Sequence, residues 1–318
     1  MKKLLIVVLG CIFLLTACAA PSKQPEVESD SSKTDSSQTI VKIGILPDVA
    51  SIPFIAADTK GYFSNAGINV KLVPFQSSVE RDAALQSGAI DGEVADVLAA
   101  AFAVQNGLKV KITSITTGKY DILLAPNSTI EDIDNLSGKK IAISKNTIIE
   151  YVTDQLLIRN GFSPDNIEKV IIAQMPVRLE MLKTGKVDAA CLPEPLASLA
   201  VKSGAKSLLT TMGTDLAPGI MLFTEKALKE KEEKIRKLYE VYEKVTTDIN
   251  NDPDEFRDVL SSASFPEEVI GSFEFPTYHG VIVPTQEDID QVIDWLKSRQ
   301  LIEKDLSYND LVNDEFVN

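Results

Sequence analysis

Residues 79–105 read VERDAALQSGAIDGEVADVLAAAFAVQ, and this stretch decides the fold. Its apolar spacing predicts a helix over 79–86, a short strand over 92–95 and an alanine-rich helix over 97–105. Helices and short apolar strands that alternate in this way are typical of α/β proteins with largely parallel sheets.

The same rhythm continues on both sides of this stretch. Upstream, strands are predicted over 41–46 and 69–75, with a helix over 54–63 between them. Downstream, strands over 109–115 and 120–125 complete a first α/β unit.

A second unit with the same texture begins after Pro126. Its predicted elements are strands over 140–143, 170–173, 189–192 and 207–210 and helices over 148–160, 177–184 and 196–203. Glycines at 161, 185 and 204 follow these helices, where glycine commonly ends a helix. We therefore expect a cleft between two α/β units, and clefts at the carboxyl ends of parallel strands commonly bind small ligands.

The C-terminal part of the chain is rich in helices. After one more strand over 220–224, apolar residues recur at helical spacing over 228–249 and predict a long amphipathic helix. Further helices are predicted over 256–262, 267–273 and 287–298. Trp295 lies on the apolar face of the last of these helices, so we interpret it as a core residue rather than a ligand contact.

Charge and the scarcity of histidine limit the classes of function. The formal net charge is −14 at pH 7, which disfavours nucleic acid and anionic lipid as partners. The single histidine, His279, lies in a predicted loop without the companions that zinc sites and histidine catalysis need. The sequence contains no phosphate-binding loop and no nucleophile motif. We therefore predict no catalytic residue, no cofactor and no metal site.

The N-terminus has the parts of an export signal. Lys2 and Lys3 precede an apolar run over 4–15 that is too short to span a bilayer. The sequence LTAC at 15–18 resembles the bacterial lipobox, in which the cysteine is acylated after the signal peptide, here residues 1–17, is removed. Cys18 would then carry the lipid. An ordinary signal peptide with a coincidental cysteine is the alternative.

Residues 18–39 contain almost no large apolar side chains, so we predict a disordered tether behind the lipid anchor. The folded part would then lie outside the cell, held at the outer face of the membrane, and we expect it to be a monomer. Cys191 would be the only free thiol left in the mature chain. It lies in an apolar strand pattern, so we interpret it as a small buried side chain.

Several short motifs, each weak alone, occur in an order that is specific. The motifs are GYF at 61–63 with GINV at 67–70, RDAALQSG at 81–88 with DG at 91–92, KTGKVDAA at 183–190 with PEP at 193–195, and DWLK at 294–297 with DLV at 310–312. In this order they resemble the solute-binding proteins of nitrate, sulfonate and thiamine-precursor ABC importers. The resemblance covers nearly all of residues 40–318.

The resemblance implies a type II periplasmic-binding-protein fold, in which two α/β lobes are joined by a two-segment hinge. Lobe I would comprise 40–123 with 215–318 and lobe II 124–214, with hinge segments near 121–125 and 210–217. It also implies that the protein performs no chemistry. It would capture a small solute and deliver it to an ABC permease driven by a cytoplasmic ATPase.

Two other functions stay open at this point. A surface lipoprotein could sense or adhere to a ligand without transporting it. Less expected is an enzyme of pyrimidine or menaquinone precursor metabolism, because relatives with this fold include such enzymes.

In such a fold the solute meets loops that follow strands and open helices, since helix N-termini present unpaired N–H groups. The candidate ligand-binding residues are Asp48, Ser51, Ile52, Pro53, Asp96, Tyr120, Ser144, Lys145, Asn146, Thr147, Met175, Arg178, Pro193, Glu194 and Gly219. Ser51, Asp96 and Thr147 also stand where helix caps would, and capping is an alternative for each. Glu194, between two prolines at the end of a strand, is expected to face the cleft.

The charges of these candidates conflict about the solute. Carboxylates at 48, 96 and 194 suit amine or ring N–H donors, as on an aminopyrimidine, whereas Lys145, Arg178 and helix N-termini suit sulfonate or nitrate. Aromatic residues that could stack on a large flat ligand are sparse in these loops. The sequence alone slightly favours a small nitrogen heterocycle.

Overall fold

The structure is a computed structural model that describes residues 39–214, 216 and 219–317. The predicted signal peptide, Cys18 and nearly all of the predicted tether lie outside the described residues. So do three residues, at 215, 217 and 218, in or beside the second predicted hinge segment.

In the described part of the chain, ten strands form two five-stranded sheets. The first sheet contains β1 (Ile40–Ile45), β2 (Asn69–Pro74), β3 (Gly92–Asp96), β4 (Val110–Ile115) and β10 (Gly219–Thr224), in the spatial order β2-β1-β3-β10-β4. The second contains β5 (Tyr120–Leu124), β6 (Lys140–Ile143), β7 (Glu168–Ile171), β8 (Ala189–Pro193) and β9 (Lys206–Thr210), in the order β7-β6-β8-β5-β9. We call each sheet with the helices that pack on it a lobe.

The two lobes exchange one strand each. Four strands of each sheet run in the same direction, and the strand that arrives from the other lobe, β10 or β5, pairs antiparallel with both of its neighbours. The chain therefore crosses between the sheets at 116–119 and returns between the end of β9 and the start of β10. The predicted lobe boundary between 123 and 124 falls inside β5, because β5 is hydrogen-bonded to β8 and β9 along its whole length.

Helices cover both sheets. They are α1 (Ile52–Thr59), α2 (Tyr62–Asn65), α3 (Ser78–Gln86), α4 (Val97–Gln105), α5 (Ile148–Arg159), α6 (Met175–Lys183), α7 (Leu196–Lys202), α8 (Glu225–Glu230), α9 (Glu232–Asn251), α10 (Arg257–Ser262), α11 (Glu267–Ile270), α12 (Gln286–Ser298) and α13 (Tyr308–Leu311). Among the described residues, none of these helices is both long and apolar enough to cross a membrane.

Several predicted elements differ in extent from those observed; the single helix predicted over 228–249, for example, is divided into α8 and α9. The helix predicted over 54–63 is two helices, because Gly61 adopts a left-handed conformation (φ 76°) that ends α1 and begins α2. The strand predicted over 170–173 begins two residues earlier, where Glu168 pairs with Lys140. The helix predicted over 267–273 ends at Ile270.

The C-terminal helices contact both lobes. The long amphipathic helix α9 buries one face, which includes Ile235, Leu238 and Val245, in the core of the first lobe. Helix α12 packs on α4, and its Trp295 is buried as predicted. The indole N–H of Trp295 also donates a hydrogen bond of 3.1 Å to Asp154 of α5, in the second lobe.

Candidate functional site

A narrow cavity lies between the two sheets, at the carboxyl ends of their parallel strands. Its volume is about 30 Å³, enough for one or two water molecules, so the two walls stand close together. Eight of the fifteen predicted residues line it, namely Asp48, Asp96, Tyr120, Ser144, Met175, Arg178, Pro193 and Gly219. The other lining residues are Leu46, Ala50, Ser78, Arg81, Val94, Ala95, Thr116, Ile148, Ile149 and Ala173.

The predicted residues Ser51, Ile52 and Pro53 do not line this cavity. Ile52 and Pro53 are buried in the first turn of α1. Ser51 makes no side-chain cap to α1; its hydroxyl donates instead to Asp48 at 3.0 Å. Of the four predicted residues in this loop, only Asp48 therefore lines the cavity.

Lys145, Asn146 and Thr147 lie beside a separate groove of about 440 Å³. The hydroxyl of Thr147 donates to the carbonyl of Ser144 and accepts from the N–H of Ile149. The carboxylate of Glu150 accepts from the N–H of Asn146 at 2.7 Å. These bonds fix the turn that delivers Ser144 to the cavity.

Glu194 is also absent from the cavity lining. Lys119, in the crossing segment, approaches its carboxylate at 2.7 Å, and the N–H and hydroxyl of Ser198 both donate to it at 3.0 Å. The carboxylate is therefore occupied by contacts that join the crossing segment to α7. Sequence reasoning missed this pair because Lys119 is 75 residues away.

Two carboxylates, the half-buried Asp48 and the buried Asp96, form part of the first lobe's wall. Asp48 accepts from the N–H of Ser51, and Asp96 accepts from the N–H of Ala99 at the start of α4. Both bonds use Oδ1, and the backbone N–H groups of Ala50 and Leu98 also stabilise the ionised carboxyls of Asp48 and Asp96 respectively. Burial raises the pKa of each carboxyl to about 6, so both remain mostly ionised at neutral pH.

Arg81 of α3 lies in the same wall and is fully engaged. It donates to Asp82 at 2.7 and 3.0 Å and to the carbonyl of Val94 at 2.7 Å, and its Nε lies 3.5 Å from Glu93. Burial alone would lower the pKa of Arg81, but the charges of these acids outweigh it and raise that pKa. Burial raises the pKa of Glu93 to about 8, which favours the protonated carboxyl at neutral pH.

Arg178 of α6 is the corresponding arginine of the second lobe, and its surroundings are different. Its side chain is 0 % exposed, and it donates to the carbonyls of Cys191 at 2.9 Å and Ile172 at 2.8 Å. In the described structure it makes no ion pair, and its Nη2 has no hydrogen-bond partner. Burial lowers its pKa to about 10, so it remains charged at neutral pH.

Two hydroxyls in the cavity wall are also unpaired. Ser144 Oγ and Thr116 Oγ1 are both buried, and neither has a hydrogen-bond partner among the described residues. Ser144 precedes α5, whose first residues, Ile148 and Ile149, line the cavity with the positive end of the helix dipole. The second lobe's wall therefore offers a cation, a hydroxyl and a helix N-terminus to an anion.

Gly219, at the start of β10, allows the crossing segment to approach closely. A Cβ atom at this position would lie 2.7 Å from Oγ1 of Thr116 and 3.1 Å from its carbonyl oxygen. Thr116 follows β4 and was not predicted as a site residue, because nothing in its local sequence distinguishes it. Its place depends on where the chain passes from one sheet to the other.

The remaining polar candidates of the sequence lie elsewhere. Cys191 is a free, buried thiol, as predicted, and burial raises its pKa to about 11, which keeps it protonated. His279 is exposed. Within residues 39–214, 216 and 219–317, no group of three or more His, Cys, Asp or Glu side chains is arranged to hold a metal ion.

Known proteins match this chain along most of its length. A family model described as NMT1/THI5 like matches residues 48–256. A putative aliphatic sulfonates-binding protein of Bacillus subtilis (strain 168) is 27 % identical over 338 aligned positions, which cover 100 % of this chain and 96 % of that protein.

Solved structures share the fold at lower identity. The ligand-binding component of an ABC-type import system from Staphylococcus aureus, solved with zinc bound, superposes with a TM-score of 0.76 at 17 % identity, covering 88 % of this chain and 98 % of that one. The alkanesulfonate-binding protein SsuA from Xanthomonas axonopodis pv. citri, bound to MOPS, gives 0.75 at 19 % identity, covering 86 % and 98 %. The expected two-lobed binding-protein fold is thereby confirmed.

Proposed function

The chain belongs to the NMT1/THI5-like family, and from this premise we propose that it is the solute-binding component of an ABC importer. It binds a small solute in the cavity between its two lobes and delivers it to a permease whose cytoplasmic ATPase drives import. The names of two relatives, an aliphatic sulfonates-binding protein and an alkanesulfonate-binding protein, support a solute that carries a sulfonate-like group.

The observation that carries this proposal is the uncompensated charge of Arg178. Burying a cation without a counter-ion is unfavourable, and a guanidinium is suited to planar or tripodal groups of anionic oxygens. Arg178, Ser144 and the N-terminus of α5 meet in one wall of the cavity. An anionic oxygen group of the solute would complete their hydrogen bonds.

Two of the charged residues from which the sequence analysis judged the charge of the solute lie outside the cavity. Glu194 is already held by Lys119, and Lys145 is exposed beside the separate groove. Without them, the second lobe's wall is cationic and favours an anionic group over a neutral heterocycle there.

Solute binding is tested by calorimetric titration of the purified protein with ethanesulfonate, nitrate and sulfate, together with melting temperatures for each mixture. Arg178→Met should weaken the binding of the preferred anion at least about tenfold, because a charge-assisted hydrogen bond is lost. The matched control is Lys183→Met, which removes the same charge from the exposed end of α6 and should leave affinity unchanged.

A flat response of the wild-type protein to all three anions, with no small molecule co-purifying by native mass spectrometry, would argue against the proposed function. Equal losses in the two variants would show that net charge, and not the position of Arg178, attracts the anion.

The proposed attachment to the membrane is based on the first residues of the chain. Cys18 is the lipid attachment site, and the tether behind it lets a monomeric binding protein reach its permease at the outer face of the membrane. The protein binds without turnover. Cys18→Ser should move the protein from the membrane fraction to the medium while solute affinity stays the same, and retention in the membrane would contradict a lipid anchor.

A further inference from the structure

The two lobes also touch away from the cavity, where α12 of the first lobe meets α5 of the second. The ring of Trp295 packs against Tyr151, and both side chains are buried. These two residues and Leu98 of α4 belong to one continuous cluster of buried apolar side chains. The lobes are therefore joined by packing as well as by the two crossing segments.

A buried carboxylate on α5 is shared between the two lobes at this contact. The side chain of Asp154 is 0 % exposed. Its Oδ2 accepts the indole N–H of Trp295 at 3.1 Å and lies 2.6 Å from Nη2 of Arg299, which directly follows α12. Its Oδ1 lies 2.8 Å from Nζ of Lys169, in β7 of the same lobe. Each lobe therefore supplies a cation to one oxygen of the carboxylate.

Each side of this contact keeps a partner if the two helices separate. Asp154 retains the cation of Lys169, so the carboxylate is not left without a counter-ion. Arg299 is 31 % exposed and lies over the ring of Trp295, so water and the ring can stabilise its charge within the first lobe. The polar part of the contact can therefore break and form again without leaving an unpaired buried charge.

Hydrogen bonds between the lobes at the edge of the cleft are longer. The N–H of Met175 donates to the carbonyl of Gln76 at 3.5 Å. The side-chain amide of Gln174 donates to Glu80 at 3.5 Å, at an exposed position. Both distances are at the long end of the range for hydrogen bonds, so these two bonds hold the lobes together less strongly than the contacts of Asp154.

Helix α5 connects this contact to the wall of the cavity. Ile148 and Ile149, at its start, line the cavity. Asp154 lies six residues after Ile148, which is about 9 Å along a helix. Movement of α5 away from α12 would therefore move one wall of the cavity away from the other. Such movement is needed for a solute to enter, because the cavity of about 30 Å³ has room only for water.

We propose that Asp154, Trp295 and Arg299 form a latch that holds the two lobes together in the absence of solute. The latch sets the fraction of molecules that are closed, and affinity is proportional to the fraction of molecules in the binding-competent state. Its three residues are positioning residues, since they act on binding without lining the cavity. The latch itself is inferred from the contact between the helices, whereas its effect on a solute rests on the proposed function.

Hydrogen exchange of the solute-free, full-length protein tests the latch. Arg299→Met removes the first lobe's cation at a partly exposed position, so the variant should fold. The backbone amides of segments 144–150 and 173–176, which border the cavity, should exchange at least about fivefold faster in this variant, because opening is more frequent. The amides of β1, inside the first sheet, should exchange at the wild-type rate.

A change on the other side of the latch should have the same effect. Asp154→Asn removes the charge and keeps an acceptor for the indole N–H. It should speed exchange in the same two segments, and the double variant Asp154→Asn/Arg299→Met should add little to either single change, because both remove one contact. Additive effects would show that the two residues act separately and would overturn the latch.

Lys297→Met provides the matched control. Lys297 lies on α12, two residues before Arg299, and its ion-pair partner is Asp305 in the same lobe. This variant loses the same charge from the same helix without affecting the contact with α5. Exchange around its cavity should equal that of the wild type.

Ethanesulfonate measures the consequence for solute binding. Its dissociation constant, obtained by calorimetry, should be at least about fivefold higher for Arg299→Met than for the wild type and unchanged for Lys297→Met. An unchanged value for Arg299→Met would overturn the link between the latch and affinity.

The exchange data distinguish a latch from two other roles of the contact. Faster exchange throughout Arg299→Met, including β1, would show that Arg299 serves stability alone. Wild-type exchange at the cavity in this variant would show that α5 and α12 stay together when the lobes move. Either result overturns the inference. Failure of the wild type to bind ethanesulfonate counts against the proposed function for this anion, whereas the solute-free exchange still decides the latch.

Discussion

The two lobes place an arginine at the same position of a shared pattern, yet only one of the two arginines has a carboxylate partner. In the first lobe, Arg81 is followed by Leu85, Gly88 and Asp91; in the second, Arg178 is followed at the same spacing by Leu182, Gly185 and Asp188. Each arginine donates to a backbone carbonyl thirteen residues later, in β3 or β8. The pattern of residues and the backbone contact of the arginine are therefore repeated in the two lobes, whereas the carboxylate partner is present only in the first.

Two positions account for the difference. Asp82 and Glu93, which approach Arg81, correspond in spacing to Leu179 and Ala190, and these two side chains are part of the second lobe's apolar core. The comparison teaches that a buried arginine is structural where its own lobe supplies the counter-ion. Where the lobe supplies none, the arginine is available to a ligand.

The largest expected effect is a difference in unfolding free energy between variants of the two arginines. Arg81→Met should cost about 3–5 kcal/mol of unfolding free energy, because it strips buried acids of their cation. Arg178→Met should cost at most about 1–2 kcal/mol, because the lost carbonyl bonds are offset by relief of an unpaired buried charge. Both values come from urea denaturation without ligand. Similar costs for the two variants would refute the distinction.

A second effect concerns the titration of the first lobe's wall. Asp48 and Asp96 have folded-state pKa values of about 6, above the ordinary value of 3.8, so the folded state takes up protons first as pH falls. Their contribution to stability should therefore rise between pH 7 and pH 5, by about 1 kcal/mol per carboxylate.

This rise is measured as the difference in urea stability between the wild type and the double variant Asp48→Asn/Asp96→Asn, which cannot titrate. Arg81, Asp82, Glu93 and Tyr120 face the same carboxylates and are unchanged in both proteins. Parallel pH profiles for the two proteins would show that these carboxyls do not titrate in this range.

The smallest effect compares the aspartates that end the shared pattern. Asp91 accepts the N–H of Lys42 and Asp188 accepts the N–H of Lys140, at 2.7 and 2.8 Å. Each change to alanine should cost about 1 kcal/mol. Asp91 also pairs with Lys231 at 2.7 Å, so Asp91→Ala should cost more in dilute buffer, and 1 M salt should shrink the excess. An excess that salt leaves unchanged would contradict the ion pair's role.

The sequence predicts most of the fold because apolar periodicity and glycine positions act locally. The strand ends that carry Asp48, Asp96 and Ser144 toward one cavity follow from topology, since parallel strands place their carboxyl ends at the same edge; Arg178 is carried by α6, the helix that follows β7. For these residues, a pattern and a fold class were sufficient.

The rest of the site depends on contacts between distant residues. Glu194 was expected in the cleft but is held by Lys119, and Thr116 enters the cavity wall only because the chain crosses there. The role of Arg81 could not be told from that of Arg178, because both patterns look alike until their carboxylate neighbours are seen. Asp82 directly follows Arg81 in the sequence, but local sequence does not indicate a partner such as Lys119, which is 75 residues from Glu194.

The contact of Trp295 with the second lobe has a practical consequence. It is the only tryptophan of the chain; its ring stands edge-on to Tyr151 at 5.6 Å, and Arg299 lies 5.0 Å from its centroid. Since α12 packs on α4 of the first lobe and Trp295 contacts α5 of the second, the indole sits at a contact between the two lobes. Indole fluorescence responds to nearby charge and to water. The protein thus contains its own optical reporter, and solute-driven movement of α5 against α12 can be followed by emission without an attached dye.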